Sequence, residues 1–235
     1  MITLYQFHRL WGLPNASPFC MKLETYLRMA KLSYKVRYIN NPRQAPKGKL
    51  PYIKIEDSLY ADSELIIDEL KKRFGDSLDE ELTPEQKALG HLIETTFNEQ
   101  MYWIIVYLRW QDKAGWKVVK EDFFAKLPTF PKLFVPYLVR KQMLEALTAQ
   151  GMGRHTKEEI IYIGQKTLES MAELLGEHLY FLGDKPTTVD ATAFAFLANI
   201  LFPPIKSPLQ EYLQTKEHLT AYCERMKSAF YADSK

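Results

Sequence analysis

Ser17 stands directly before Pro18, at the head of a stretch in which Phe19, Leu23, Leu27 and Ala30 recur at helical spacing. Cys20 falls on the same side, while Lys22, Glu24 and Arg28 take the other. Serine is a favoured N-cap and proline a favoured first helical residue. A hydroxyl there sits beside unpaired backbone N–H groups and the positive end of the helix dipole, where a thiolate or phosphate is stabilised. Taken alone, a plain cap is the simpler reading. Pro51 follows Leu50 at the head of a short apolar run. A cis bond there would turn the Leu50 backbone outward, ready to pair with a peptide-like ligand, although trans is the base rate for X–Pro. Asp62-Ser63 opens a second helical pattern, with Ile66, Ile67, Leu70 and Phe74 on one face and Gly75 at its end. Its hydroxyl, amides and carboxylate suit the two charges of an amino-acid head group, and an ordinary Asp/Ser cap would look the same.

These residues need a scaffold, and the chain supplies one. Residues 2–7 alternate and read as a strand, a loop follows over 8–16, and after the Ser17 helix residues 33–39 alternate again. Strand, helix and strand within about forty residues imply a parallel βαβ unit. Residues 50–55 and 58–61 read as a hairpin, so the order is β-α-β, then β-β-α. Residues 76–83 are acidic and aperiodic, as expected for a linker between a first domain over 1–75 and an all-helical one over 84–235. Thr83/Gln86 and Thr156/Glu159 form capping boxes, and Thr187/Asp190 resembles a third. They predict a long helix from 83 to about 112 and helices over 157–175 and 188–201, the last stopped by Pro203-Pro204. Two shorter helices are expected within 208–230. Gly151-Met152-Gly153 reads as a helix end.

The 235 residues carry 31 Lys and Arg against 29 Asp and Glu, a net charge of +2. A dedicated nucleic-acid surface needs a clearer basic excess. Cys20 and Cys223 stand far apart and without CxxC or Cys/His spacing, which argues against a disulfide framework and a structural zinc and suits a reducing compartment. No signal peptide opens the chain, and its apolar runs fall short of the roughly 20 residues of a membrane helix. A cytoplasmic protein with no metal and no transmembrane segment is the expectation. GxxxxGK[ST], GxSxG and HExxH are missing.

In combination the three chemical stretches resemble a family. Ser17-Pro18-Phe19-Cys20 is similar to the Cys-Pro-Tyr-Cys element of glutaredoxins with Ser in first place. Leu50-Pro51-Tyr52 and Asp62-Ser63 resemble the cis-proline and acidic-Ser elements of the glutathione transferase superfamily, and the Thr187–Asp190 box resembles the one that opens a buried helix in its second domain. The strings 17–25, 151–156 and 181–186 resemble the failed-axon-connections and metaxin-like branch. The resemblance covers essentially the whole chain. It implies the glutathione transferase fold, an α/β thioredoxin-like N-terminal domain followed by an all-α one.

For the residues, the resemblance implies glutathione as co-substrate, lying extended on the first domain. Asp62 and Ser63 would hold its γ-glutamyl end, and Leu50 its cysteinyl backbone with Pro51 cis. Lys49 would meet the glycyl carboxylate or backbone, and Ser17 would donate to the sulfur. A stabilised thiolate is the reactive species. Ser cannot form the mixed disulfide that Cys would, so conjugation or peroxide reduction is expected. Cys20 reads as buried packing and Tyr5 as core; His8 and Asn15 edge the site. A small hydrophobic electrophile would meet Trp103, Tyr107 and Trp110, a second apolar stripe on the long helix that reads from sequence as core, dimer surface or cleft wall. Trp116, Phe123, Phe124, Phe130 and Phe134, interleaved with lysines, suit a lid, a membrane surface or a partner contact. Homodimers are common in the superfamily. The alternative within this branch is a non-catalytic scaffold of metaxin type.

Overall fold

The computed structural model describes residues 1–232. It has a four-stranded sheet in the order β2-β1-β3-β4, made of β1 (Ile2–Gln6), β2 (Tyr34–Tyr38), β3 (Tyr52–Ile55) and β4 (Ser58–Ala61). β1 pairs parallel to β2, as the intervening helix requires, and antiparallel to β3, which forms a hairpin with β4. The helix α1 (Pro18–Met29) crosses between β1 and β2, and α2 (Ser63–Phe74) closes the unit at Gly75. Both helix starts lie where the cap residues indicate.

The helical part opens with the Thr83/Gln86 box. The long helix is helical throughout 84–111 but not uniformly α. α3 (Pro84–Thr95) and α4 (Tyr102–Val106) are each followed by a π segment, Thr96–Met101 and Tyr107–Gln111. Each wide turn shifts the 3.6-residue phase of everything after it. The stretch 113–150 then forms α5 (Lys113–Asp122), a single turn α6 (Thr129–Lys132) and α7 (Val135–Gln150), which ends at Gly151 with φ 117°. α8 (Lys157–Leu175) and α9 (Thr188–Leu201) start at their boxes, and α10 (Pro208–Gln214) and α11 (Glu217–Tyr231) follow.

The centre of the molecule is α9, buried along Thr188–Ile200, with α1 and α3 packed against it. This corrects the amphipathic reading of α1. Lys22 and Glu24 do not face solvent; both are 0% exposed. The sheet covers one side of α1 and α9 the other, so the charged positions are paired instead. Lys22 Nζ lies 3.4 Å from Glu94 of α3. Glu24 accepts from Gln6 Nε2 at 2.6 Å and lies 3.6 Å from Arg28. Phe74 is a second correction. Placed by periodicity on the buried face of α2, it is about half exposed, because the chain turns away at Gly75.

The acidic stretch after α2 forms turns, and its Asp79 is a fixed point. The Asp79 carboxylate accepts from Thr188 N at 2.8 Å and pairs with Lys71, tying α2 to the start of α9. There Asp190 accepts from the Thr187 N–H and hydroxyl (2.8 and 3.0 Å), from Phe181 N (3.1 Å) and from the Tyr222 hydroxyl of α11 (3.1 Å). Burial nevertheless pushes its carboxyl up to about 6, the hydrogen bonds opposing. That lies above the unfolded value of about 3.9, so the folded state binds more protons between the two. The group's contribution is fully present below about pH 4 and lost as pH rises through 6. Relative to Asp190→Asn, the wild type should lose about 3 kcal/mol of stability between pH 4 and 7. Denaturant midpoints of both proteins across that range measure it, and a constant difference contradicts it.

Candidate functional site

The strand register gathers the three chemical stretches at one end of the sheet. Tyr5 pairs with Tyr52, and Tyr52 with Ala61. The chain leaves β1 there toward Ser17, enters β3 there from Pro51, and leaves β4 there into Asp62. The Tyr5 and Tyr52 rings stack at 4.3 Å. Cys20, Ala45, Leu50 and Tyr52 form a small apolar cluster that fastens the first turn of α1 to the entry of β3.

Ser17 is half-buried at the N-cap, and its Oγ accepts a long 3.4 Å bond from Cys20 N. Its own N–H donates to Asn15 Oδ1 at 3.0 Å, and Asn15 Nδ2 donates to Phe7 O at 2.7 Å. Beneath this loop lies a group that sequence reasoning misses. Arg109 is 6% exposed and donates to Ala16 O, the carbonyl next to Ser17, and to Asn199 O (3.0 Å) and Oδ1 (2.7 Å). Asn199 Nδ2 returns a bond to Asn15 O at 3.2 Å. Arg109 belongs to the second π segment, which turns it inward. Among the described residues it has no carboxylate partner; the Trp11 ring lies 5.1 Å from it. Burial lowers its guanidinium to about 9, so it stays charged at neutral pH. A buried cation without a counterion therefore stands behind the α1 N-terminus.

The Leu50-Pro51 bond is cis, against the base rate for X–Pro and in line with the resemblance. Leu50 and Pro51 are buried, while Lys49 is exposed beside them. Asp62 holds φ 84°, left-handed backbone that a non-glycine residue adopts only at a cost. Its Oδ1 accepts from Glu64 N (3.1 Å) and Leu65 N (3.5 Å), leaving Oδ2 without a partner among the described residues. Ser63 is 6% exposed, and its hydroxyl makes no hydrogen bond among the described residues. From the helical part, Asn98 reaches the same junction. It donates to Glu64 at 3.4 Å and keeps a buried, unpartnered Oδ1.

Cys20 is fully buried, and burial pushes its thiol up to about 12. It is neither an exposed nor an ionised thiol, in line with the packing reading. Iodoacetamide applied to native protein should leave Cys20 unmodified at neutral pH, with reaction only after unfolding; alkylation of the native state would contradict this. His8 is exposed and stacks on Tyr38 at 4.7 Å. Phe19, two residues after Ser17, meets the Tyr102 ring at 4.9 Å and the Phe196 ring at 5.5 Å. The stripe at 103, 107 and 110 assumes a regular α-helix, and the π segments break that phase. Trp103 is half-buried against Tyr102, Tyr107 is buried in the core, and Trp110 packs 5.9 Å from Trp116 and close to Phe123 and Phe124.

Family models match this architecture in both parts: a glutathione S-transferase N-terminal domain over residues 18–115 and a glutathione S-transferase C-terminal domain over 164–226. An isoprene-epoxide glutathione S-transferase of Rhodococcus sp. strain AD45 is 32% identical over 236 residues, covering 98% of this chain and 99% of that one. The chain belongs to the glutathione S-transferase superfamily. Failed axon connections of Drosophila melanogaster is 34% identical over 99% of the chain, and human metaxin-1 is 28% identical over 94%. These relatives place this transferase-fold protein in the metaxin-like branch. It spans 59% and 49% of their respective lengths. Among solved structures, a glutathione S-transferase of Methylobacterium radiotolerans in complex with glutathione sulfonate superposes with a TM-score of 0.61 at 17% identity, over 99% of this chain and 93% of that one.

Proposed function

We propose that the protein is a glutathione-dependent transferase whose Ser17 holds the glutathione sulfur as a thiolate. The convergence of the Ser17 cap, the Leu50-Pro51 entry and the Asp62-Ser63 cap at one sheet end carries this reading. The unpartnered Ser63 hydroxyl and Asp62 Oδ2 suit the carboxylate and amine of a γ-glutamyl group. Lys49 suits the glycyl carboxylate, and Leu50 the peptide between. The sulfur then lies at the α1 N-terminus, with Ser17 Oγ donating to it. Amide dipoles and the Arg109 charge further favour the anion. Tyr102 and Phe19 supply an apolar wall for the second substrate, extended by Trp103, whose ring lies 5.1 Å from Tyr102.

The second substrate is a small apolar electrophile, and the Rhodococcus relative's name favours an epoxide. The bound thiol releases its proton to solvent, and the thiolate attacks an epoxide carbon. A C–S bond forms as the C–O bond breaks, and the resulting alkoxide takes a proton from water. Incubating the protein with glutathione and a short-chain epoxyalkane, with products read by mass spectrometry, tests this. A thioether adduct above the uncatalysed rate is expected. A second reading, a scaffold that uses the fold for partner contacts, is favoured by the likeness to failed axon connections and metaxin-1. It would be preferred if epoxide, aryl halide and hydroperoxide all fail to react above background.

A further inference from the structure

We propose that the outer face of α6 and α7 docks on an anionic lipid bilayer. The sheet end and the Ser17 site lie on other elements, so this surface stands apart from the transferase reading. Three observations point to it.

The first is exposure. Phe130 is 74% exposed, Leu133 67%, Leu138 55%, Tyr137 50% and Phe134 44%. Isolated apolar side chains on a surface need no explanation, but five within nine residues form a patch, and patches mark contact sites. The second is that α7 has two apolar faces. Val139, Met143 and Leu147 pack inward. Phe134, Tyr137 and Leu138 recur at i, i+3 and i+4 on the outside, and Lys141 continues that stripe at i+7. The face is preformed: the Tyr137 ring lies 6.2 Å from Trp116, and its hydroxyl accepts from Lys120 at 2.7 Å. The Phe130 and Phe134 rings meet edge-on at 5.6 Å.

The third observation is charge, and it selects the occupant. No Asp or Glu occurs from residue 123 to residue 144, while Lys126, Lys132, Arg140 and Lys141 fall within that run. Arg140 is committed to the carbonyls of Trp110 and Gln111, and the three lysines are exposed, Lys141 in a solvent-exposed pair 3.9 Å from Glu145. This run therefore carries four positive charges and no negative one, on a chain whose net charge is +2. A protein partner is the weaker fit, because lysine is depleted in protein–protein interfaces. A second copy across a two-fold axis would set these lysines against themselves. Exposed Phe and Leu ringed by Lys is the composition of a segment lying in a bilayer interface, aromatic rings at the headgroups and ammonium groups on anionic lipid. No helix among the described residues is long and apolar enough to cross a membrane, so contact is at the surface.

Co-sedimentation with extruded vesicles tests this, comparing phosphatidylcholine alone with phosphatidylcholine–phosphatidylserine mixtures. Binding should appear only with the anionic vesicles and weaken as salt is raised. Each exposed lysine near an anionic surface contributes about fivefold in partitioning. Lys126→Glu, Lys132→Glu and Lys141→Glu together should therefore abolish binding, and Phe130→Ser with Leu133→Ser should weaken it at least tenfold. These side chains are exposed, so the variants should retain the wild-type circular dichroism and melting. The proposal is overturned if vesicles of both compositions fail to retain the protein, if neutral vesicles retain it equally, or if the patch variants bind undiminished. It is also overturned if those variants instead convert a dimer to a monomer on sedimentation, which would make the face a contact between copies.

Discussion

Ser17→Ala should lower glutathione turnover at neutral pH by about 100-fold, the usual consequence of removing one donor to an oxyanion-like centre. Two features make this substitution clean. The Asn15 contact that positions the turn uses the Ser17 backbone N–H, so it survives. The lost cap bond from Cys20 N is long, at 3.4 Å, which limits the destabilisation to about 1 kcal/mol. Glutathione should still bind, because the residues proposed for its γ-glutamyl end are untouched. What changes is ionisation: the bound thiol should return toward the free value of about 8.5, moving the pH–rate profile to the alkaline side. Raising the pH should restore much of the lost rate in Ser17→Ala, which loss of fold would not permit. An unchanged profile would mean that Ser17 only caps α1.

Arg109→Met should destabilise the fold by about 4 kcal/mol, well beyond the loss of the Ser17 cap. The Arg109 guanidinium bonds Ala16 O, Asn199 O and Asn199 Oδ1, and Asn199 in turn bonds Asn15 O. Removing the donor leaves buried oxygens unsatisfied, at about 1–3 kcal/mol each, with the relief of desolvating a cation as partial offset. For a chain of this length such a loss lowers Tm by roughly 10 °C. Arg109→Lys keeps the charge but loses the planar fork, so it should lie between the two. Thermal denaturation of the three proteins gives the order directly. A Met variant as stable as wild type would show that the network is dispensable.

Much of the fold is legible in the sequence because its signals are local. Ser17-Pro18, the three capping boxes, Gly75 and Gly151 mark helix ends through residues within one turn, and alternation marks the strands. The end of the sheet proposed to bind glutathione is legible for a less obvious reason. Once β3 and β4 form a hairpin beside β1, register brings Pro51 and Asp62 to one end of the sheet, and the Cys20, Leu50 and Tyr52 cluster holds the Ser17 turn beside them. What escapes depends on distant packing. Lys22 and Glu24 read as a solvent face because nothing near them in sequence announces α9, more than 150 residues away. Arg109 and Asn199 are ninety residues apart and meet only in the folded chain. Tyr102, rather than the stripe at 103, 107 and 110, lies beside Phe19 because π segments reset a helical phase that sequence periodicity treats as constant. The one available signal is Arg109 itself, a charge set between Leu108 and Trp110 in the otherwise apolar stretch 101–110.

Glutathione binding with ionisation of its sulfur at Ser17 is what the proposed activity stands on. Calorimetric titration of glutathione into wild type and Ser17→Ala, with ultraviolet absorbance of the bound thiolate read in parallel across pH, reports both steps at once. Binding is expected in both proteins, with a thiolate signal at neutral pH in wild type that moves to alkaline pH in the variant. No heat and no thiolate signal in wild type at millimolar glutathione would contradict the transferase and leave the fold as a scaffold.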